Sequence, residues 1–240
     1  MKTSYKILVT AASFLLMATG LFAKSGIEGG YLNTMYTTKT DGVKSVEKSD
    51  PLQGFYVGVN NDWKIVAGLS VQPGLYYSYG KYSDSEEEAG FRLTASQTEH
   101  NLNIPIDIKY TFGILPILKI HVFVGPTFSV GLASQTKVMM SGEVLGQQLE
   151  VNAKYDMYSG KIKTEGLPEG SEGSLSGQLP SSVMSRFDVM IGGGVGIDLF
   201  KFLTVKAGYD YGLLNRLKGD AAQTSSLNRS QFYVALGINF

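Results

Sequence analysis

The last ten residues, Gln231 to Phe240 (QFYVALGINF), constrain this chain most. Phe232, Val234, Leu236, Ile238 and Phe240 share one parity, and Gln231, Tyr233, Ala235, Gly237 and Asn239 the other. Side chains of a strand alternate between two faces, so this is a strand with one continuous apolar face. About ten residues is also the length with which a tilted strand crosses a bilayer. Alternation of this kind recurs throughout the chain.

Eight such segments can be traced. Ser25 to Tyr36 is the least regular. Gln53 to Asn60 sets Phe55, Val57 and Val59 on one face, with a tight turn expected at Asn60 to Asp62. Leu69 to Tyr82 follows, where Pro73 lacks the donor a ladder needs and predicts a bulge. Thr98 to Phe112 is the cleanest, with Leu102, Ile104, Ile106, Ile108, Tyr110 and Phe112 in one row. Past a turn at Gly113 to Pro116 come Lys119 to Ala133, then Arg186 to Phe200, then Leu203 to Leu213 after a short turn at Lys201 and Phe202, and finally the terminal strand. The long connections are Thr37 to Asp50, the acidic run Asp84 to Glu88, Ser134 to Val183 and Asn215 to Asn228. Short and long connections alternate strictly, which predicts an all-β, eight-stranded, antiparallel up-and-down transmembrane barrel.

The amino-terminus fits export. Lys2 and Lys6 precede an apolar run from Ile7 to Phe22, and Ala23 offers a small residue for cleavage, so residues 1–23 read as a signal peptide and 24–240 as the barrel domain. No cysteine is present, which removes a disulfide framework, a thiolate metal site and a lipid-modified amino-terminus together. Charged residues make up 18% with net charge zero, which gives no reason to expect nucleic acid as a partner.

The direction of the apolar row decides between a soluble barrel and a membrane barrel. A water-facing exterior carries many charges, whereas the polar row here is Gly, Ser, Thr and Asn, which suits the crowded inside of a narrow barrel. Phe112, Phe200, Phe202 and Phe240 fall at the short-turn ends, and Tyr77, Tyr79, Tyr209, Tyr211 and Phe232 toward the long-loop ends, as two membrane-interface girdles would require. Inward parity collects Asp107, Lys109, Lys119, His121, Arg186, Asp188, Asp198, Lys206 and Asp210 into an expected lumen polar network. Buried charges must be paired, and Asp198 and Lys206, on either side of the tight turn, are the expected ion pair. Tyr56, Tyr76, Phe123 and Tyr233 share the inward parity and predict a plugged, non-conducting lumen.

Several phrases resemble the outer-membrane β-barrel domain family of Gram-negative bacteria that includes PorT-like and OmpX-like proteins: SVQPGLYYSYGKY (Ser70 to Tyr82), NLNIPIDIKYTF (Asn101 to Phe112), VFVGPTFSVGL (Val122 to Leu132), FDVMIGGGVGIDL (Phe187 to Leu199) and VKAGYDYGLLN (Val205 to Asn215). The resemblance implies residence in the outer membrane, contact with its lipid and lipopolysaccharide, and recognition of the terminal strand and its final Phe by the barrel-insertion machinery. It also leaves open a surface partner or a secretion-apparatus partner. It implies no cofactor.

Rival chemistry is thin. Gly192 to Gly196 fails phosphate-loop spacing and sits in a strand. Asp84 to Glu88 could gather divalent cations but lacks calcium-loop spacing. His100, beside Glu99 near an outer strand end, is a candidate for rim catalysis, with no nucleophile motif nearby. The expectation is therefore a non-enzymatic barrel, without catalytic or metal residues, that acts through an extracellular loop at Ser134 to Val183 with its tip within Gly166 to Gly177. An accessory role in secretion and a rim enzyme are the alternatives.

Overall fold

The computed structural model describes residues 23–40, 46–88, 90–144, 147–166, 183–219 and 221–240. The expected signal peptide, save Ala23, and the expected loop tip, save Gly166, lie outside them. The elements are β1 (Ala23–Thr40), β2 (Val46–Lys48), β3 (Leu52–Val66), β4 (Leu69–Glu88), β5 (Phe91–Leu115), β6 (Leu118–Val144), β7 (Gln147–Asp156), β8 (Ile162–Glu165), β9 (Phe187–Leu199), β10 (Leu203–Gly212), a short helix α1 (Ala221–Thr224) and β11 (Ser225–Asn239).

Hydrogen bonding runs in the order β5-β4-β3-β1-β11-β10-β9-β6, and β6 pairs back to β5, closing a ring of eight antiparallel strands. Closure leaves no open edge within the ring, so the ladders satisfy the backbone there from strand to strand without water. The seam joins the chain's ends, from Gly26↔Asn239 to Thr40↔Ser225. The apolar row faces outward: Val57, Ile108, Val124, Val195 and Leu236 are all exposed. Lipid, rather than a packed protein core, covers these side chains in a membrane barrel.

Three local expectations are corrected. No turn forms at Asn60 to Asp62: β3 continues to Val66, and the chain reverses at Ala67 and Gly68, where Gly68 has φ of 80°. Asn60 and Asp62 are polar because they face the lumen, where Asn60 Nδ2 donates to the Tyr76 hydroxyl (2.8 Å) and Asp62 meets Lys109. Pro73 forms no bulge. The β3–β4 ladder passes from Asn60↔Gly74 to Trp63↔Val71 in constant register, so the missing donor falls in a gap of the ladder. Irregularities occur instead at Lys64/Val66, His100/Asn101 and Gly113/Leu115. The last short turn centres on Phe200 and Lys201, at φ of 52° and 70°, one residue earlier than expected. Two left-handed residues suit the twist of a two-residue hairpin, and Phe200 is held at the interface beside the ring of Phe202 (6.1 Å).

Two of the expected long connections are strand over most of their described residues. Asp84 to Glu88 ends β4, paired residue for residue to Phe91–Ala95 of β5, and β6 runs on to Val144 before β7 and β8 add to it. Beyond the barrel, β4 to β8 thus form a five-stranded sheet continuous with the wall. Here β5 and β6 are 25 and 27 residues long.

Candidate functional site

The lumen is filled in three tiers. At the short-turn end, Lys109 Nζ meets Asp62 at 2.6 Å. Asp198 accepts from Thr204 Oγ1 (2.6 Å) and faces His121 Nδ1 at 3.3 Å. The His121 contact has ion-pair proximity without hydrogen-bond alignment.

The middle tier is built on Lys206. Its ammonium meets Glu28 at 2.8 Å and stands 5.2–5.7 Å from the ring centres of Phe123, Tyr76 and Tyr233. Tyr56 donates to the same Glu28 carboxylate (2.6 Å) and packs edge-on against Tyr76 and Tyr233 at 5.5 and 5.7 Å. Such cation and ring contacts strengthen where water is excluded. Asp107 and Asp210 line the remaining cavity of about 40 Å³, and Asp210 accepts from Gln231 (2.7 Å). That volume holds little more than an ordered water or two.

The expected Asp198–Lys206 pair does not form. Both side chains lie in the lumen, but the register sets Thr204 opposite Asp198 and Gly196 opposite Lys206. Each charge therefore finds a nearer partner on another strand. The glycine run explains how these rings fit: a Cβ on Gly194 would strike Phe123, one on Gly196 would strike His121, and one on Gly192 would strike Asp210.

The third tier lies at the long-loop end. Arg216, fully buried in the segment between β10 and β11, donates to the Tyr36 hydroxyl (2.7 Å), Glu99 Oε1 (2.8 Å), the Tyr158 hydroxyl (3.0 Å) and the Ser185 carbonyl (3.1 Å). Tyr36 also donates to Glu99. Burial alone would weaken the Arg216 charge, but Tyr36, Glu99 and Tyr158 around it raise its pKa well above the ordinary value. Burial, aided by Glu99, pushes the Tyr158 hydroxyl up to about 12, so it stays a neutral donor. Just below, Arg229 stands 3.5 Å from Asp188 and donates to Ser129 (2.9 Å). Arg186 does not enter the lumen. It precedes β9, is exposed, donates to the carbonyls of Gly131 and Leu132 (both 3.0 Å) and lies 4.5 Å from the Tyr158 ring centre.

Gly131 is the floor on which the Tyr158 hydroxyl rests, and an added Cβ would collide with it. Gly131→Ala should therefore push Tyr158 out of the clamp and cost about 1–3 kcal/mol. The temperature at which the folded electrophoretic form is lost should fall, whereas Gly113→Ala, where nothing lies within 4 Å, should leave it unchanged.

Two rings of aromatics ride outside. Phe112, Phe200, Phe202 and Phe240 are exposed at the short-turn end. At the other end Phe232, Tyr209 and Tyr211 are exposed, Tyr77 and Tyr79 are half-buried, and the Tyr77 hydroxyl lies 2.6 Å from His100 Nδ1. His100 is thus engaged on the outer wall, separated from the buried Glu99 by strand parity.

Beyond this ring, the face of the projecting sheet that continues the lumen side carries an apolar stripe. Leu93 pairs with Met140 and Met140 with Val151, while Ala95 pairs with Val138 and Val138 with Ala153. Leu93, Val138 and Met140 remain 37–45% exposed. Asp84, Glu86 and Glu88 stand opposite Ala95, Leu93 and Phe91 and rim the stripe along the sheet edge. Charges on an unpaired edge discourage strand addition, which is their minimum role.

The sequence matches the outer membrane protein beta-barrel domain family over residues 21–218. The chain belongs to that family. This outer-membrane barrel is accordingly placed in the bacterial outer membrane. No curated protein sequence matches it. Among solved structures it is similar to Ail, the attachment invasion locus protein of Yersinia pestis, in complex with the heparin analogue sucrose octasulfate (13% identity, 92% of this chain and 100% of that one, TM-score 0.43). It is also similar to OprG from Pseudomonas aeruginosa (9%, 91% and 96%, TM-score 0.40) and to Neisserial surface protein A (10%, 91% and 99%, TM-score 0.38).

The sequence reading missed Glu28, Glu99, Arg216 and Arg229 as lumen charges. Glu28 could have been found from the parity of Leu32 and Thr34 on the same strand. Arg216 carries no such signal, because it reaches the lumen from a loop.

Proposed function

We propose that this barrel is a non-enzymatic, non-conducting surface protein that binds a partner through the sheet projecting from its long-loop end, which faces the cell exterior. The apolar stripe of Leu93, Val138 and Met140 carries the reading, because a contiguous exposed patch with a polar rim marks an interaction surface. The lumen beneath is packed with rings and paired charges, which leaves the sheet as the working surface. The His100 imidazole is taken up by the Tyr77 hydroxyl on the outer wall.

An epitope inserted at Gly90, the tip between β4 and β5, should be reached by antibody on intact cells; labelling only after permeabilisation would reverse the orientation. A photo-crosslinking residue at Leu93 or Val138, irradiated on intact cells, should yield a protein adduct, while one at the lipid-facing Ile106 should not. Adducts to lipopolysaccharide alone would refute the reading. An adduct that also co-purifies with envelope proteins in mild detergent would favour the accessory role in secretion.

A further inference from the structure

The short-turn end opens into a basin of about 560 Å³ that neither the barrel's anchoring nor the projecting sheet accounts for. Its lining includes Lys24, Lys64, Lys109, Lys119 and Lys201 against two carboxylates, Asp62 and Asp198. Both carboxylates are committed, Asp62 to Lys109 and Asp198 to Thr204 and His121. Lys24 donates to the Lys201 carbonyl (2.9 Å), which holds one ammonium across the rim. Among the described residues Lys64, Lys119 and Lys201 have no ion-pair partner. The imbalance is therefore three exposed ammonium groups around one concavity, with a fourth beside them.

Two ordinary explanations fail on geometry. Lysines of the interface often reach lipid phosphates, but Lys24, Lys64, Lys109 and Lys119 stand on the lumen parity of four different strands. The lipid-facing parity at that level is Trp63, Ile65, Tyr110 and Phe112, all exposed. Nor do Lys24, Lys64, Lys119 and Lys201 line the pocket of Asp107 and Asp210, which lie deeper, beside Lys206 and its rings. With the lumen above it filled by Lys206 and its rings, as proposed above, the basin is a cup that a solute can enter but not pass.

We propose that this cup is a binding site for a small soluble anion carrying two or more phosphate groups, held by Lys24, Lys64, Lys119 and Lys201. The volume lies in the range of small-molecule sites, about 300–1,000 Å³. Lysine suits phosphate as a point charge, and no arginine fork lines the cup to select a planar carboxylate. In the orientation proposed above the cup faces the periplasm, but binding in vitro does not depend on that orientation.

The test is calorimetric titration of inorganic pyrophosphate into the refolded full chain in zwitterionic detergent at low salt. One-site binding is expected, weakened at least about tenfold in Lys64→Ala/Lys119→Ala and retained in Lys64→Arg/Lys119→Arg. Lys137→Ala/Lys154→Ala, on the projecting sheet, should bind like the wild type. All four substituted lysines are exposed, and the heat-dependent gel shift checks that each variant is folded. Absence of binding, equal binding of citrate, or loss of binding only through competition by anionic lipid vesicles would each overturn the proposal.

Discussion

Replacing Arg216 by Met should destabilise the folded barrel by about 3–5 kcal/mol, because it leaves the buried Glu99 carboxylate bonded only to two tyrosine hydroxyls, with no cation in contact. Arg216 is also the single side chain that joins β1 through Tyr36, β5 through Glu99, the β7–β8 turn through Tyr158 and the segment before β9 through Ser185. Its loss should therefore loosen the long-loop end first and lower the stability of the barrel it caps. Denaturant unfolding followed by Trp63, the sole tryptophan, would report the loss, and limited proteolysis should cut first between β6 and β9. Glu99→Gln in the same chain should recover a large part of the stability, since a neutral amide needs no counter-charge. A single variant within about 1 kcal/mol of wild type would show that water already screens the clamp.

The second large effect is electrical. Planar-bilayer recordings of the refolded protein should show no stable single-channel steps, because Tyr56, Tyr76, Phe123 and Tyr233 surround Lys206 and leave only the small cavity beside it. An eight-stranded barrel has an interior just wide enough for side chains, so conduction requires deleting them. Tyr76→Ala/Phe123→Ala/Tyr233→Ala should open a water path and produce steps. Reproducible steps from the wild type would refute the sealed lumen and bring transport forward as the function.

The barrel itself was legible wherever lipid enforces alternation. From Leu102 to Phe112 each outward residue must be apolar, so the strand and its parity could be read directly, though β5 runs past both expected ends. Outside the membrane that demand lapses: Asp84 to Glu88 pairs as strand while carrying charge on both faces, and it reads as loop. Asn60 to Asp62 misled for the related reason that a polar lumen position and a turn favour the same residues. Parity assigns a side chain to a face but does not name its partner. Lys206 therefore found Glu28 two strands away on β1 rather than Asp198 on the neighbouring strand, and Arg186, one residue ahead of β9, escaped the rule altogether. Arg216 had no periodic neighbour to betray it.

The unbroken run of β5 and β6 has a mechanical meaning. Their ladder extends from Phe91↔Gly142 at the far tip to Leu115↔Leu118 at the short turn, interrupted only by local irregularities. Antiparallel ladder bonds lie perpendicular to the strands, so a tug on the tip along the strand axis loads all of them in shear at once instead of peeling them singly. A tether held at Leu93 or Met140 would pass its load straight into the bilayer-embedded wall, with no flexible joint to yield first.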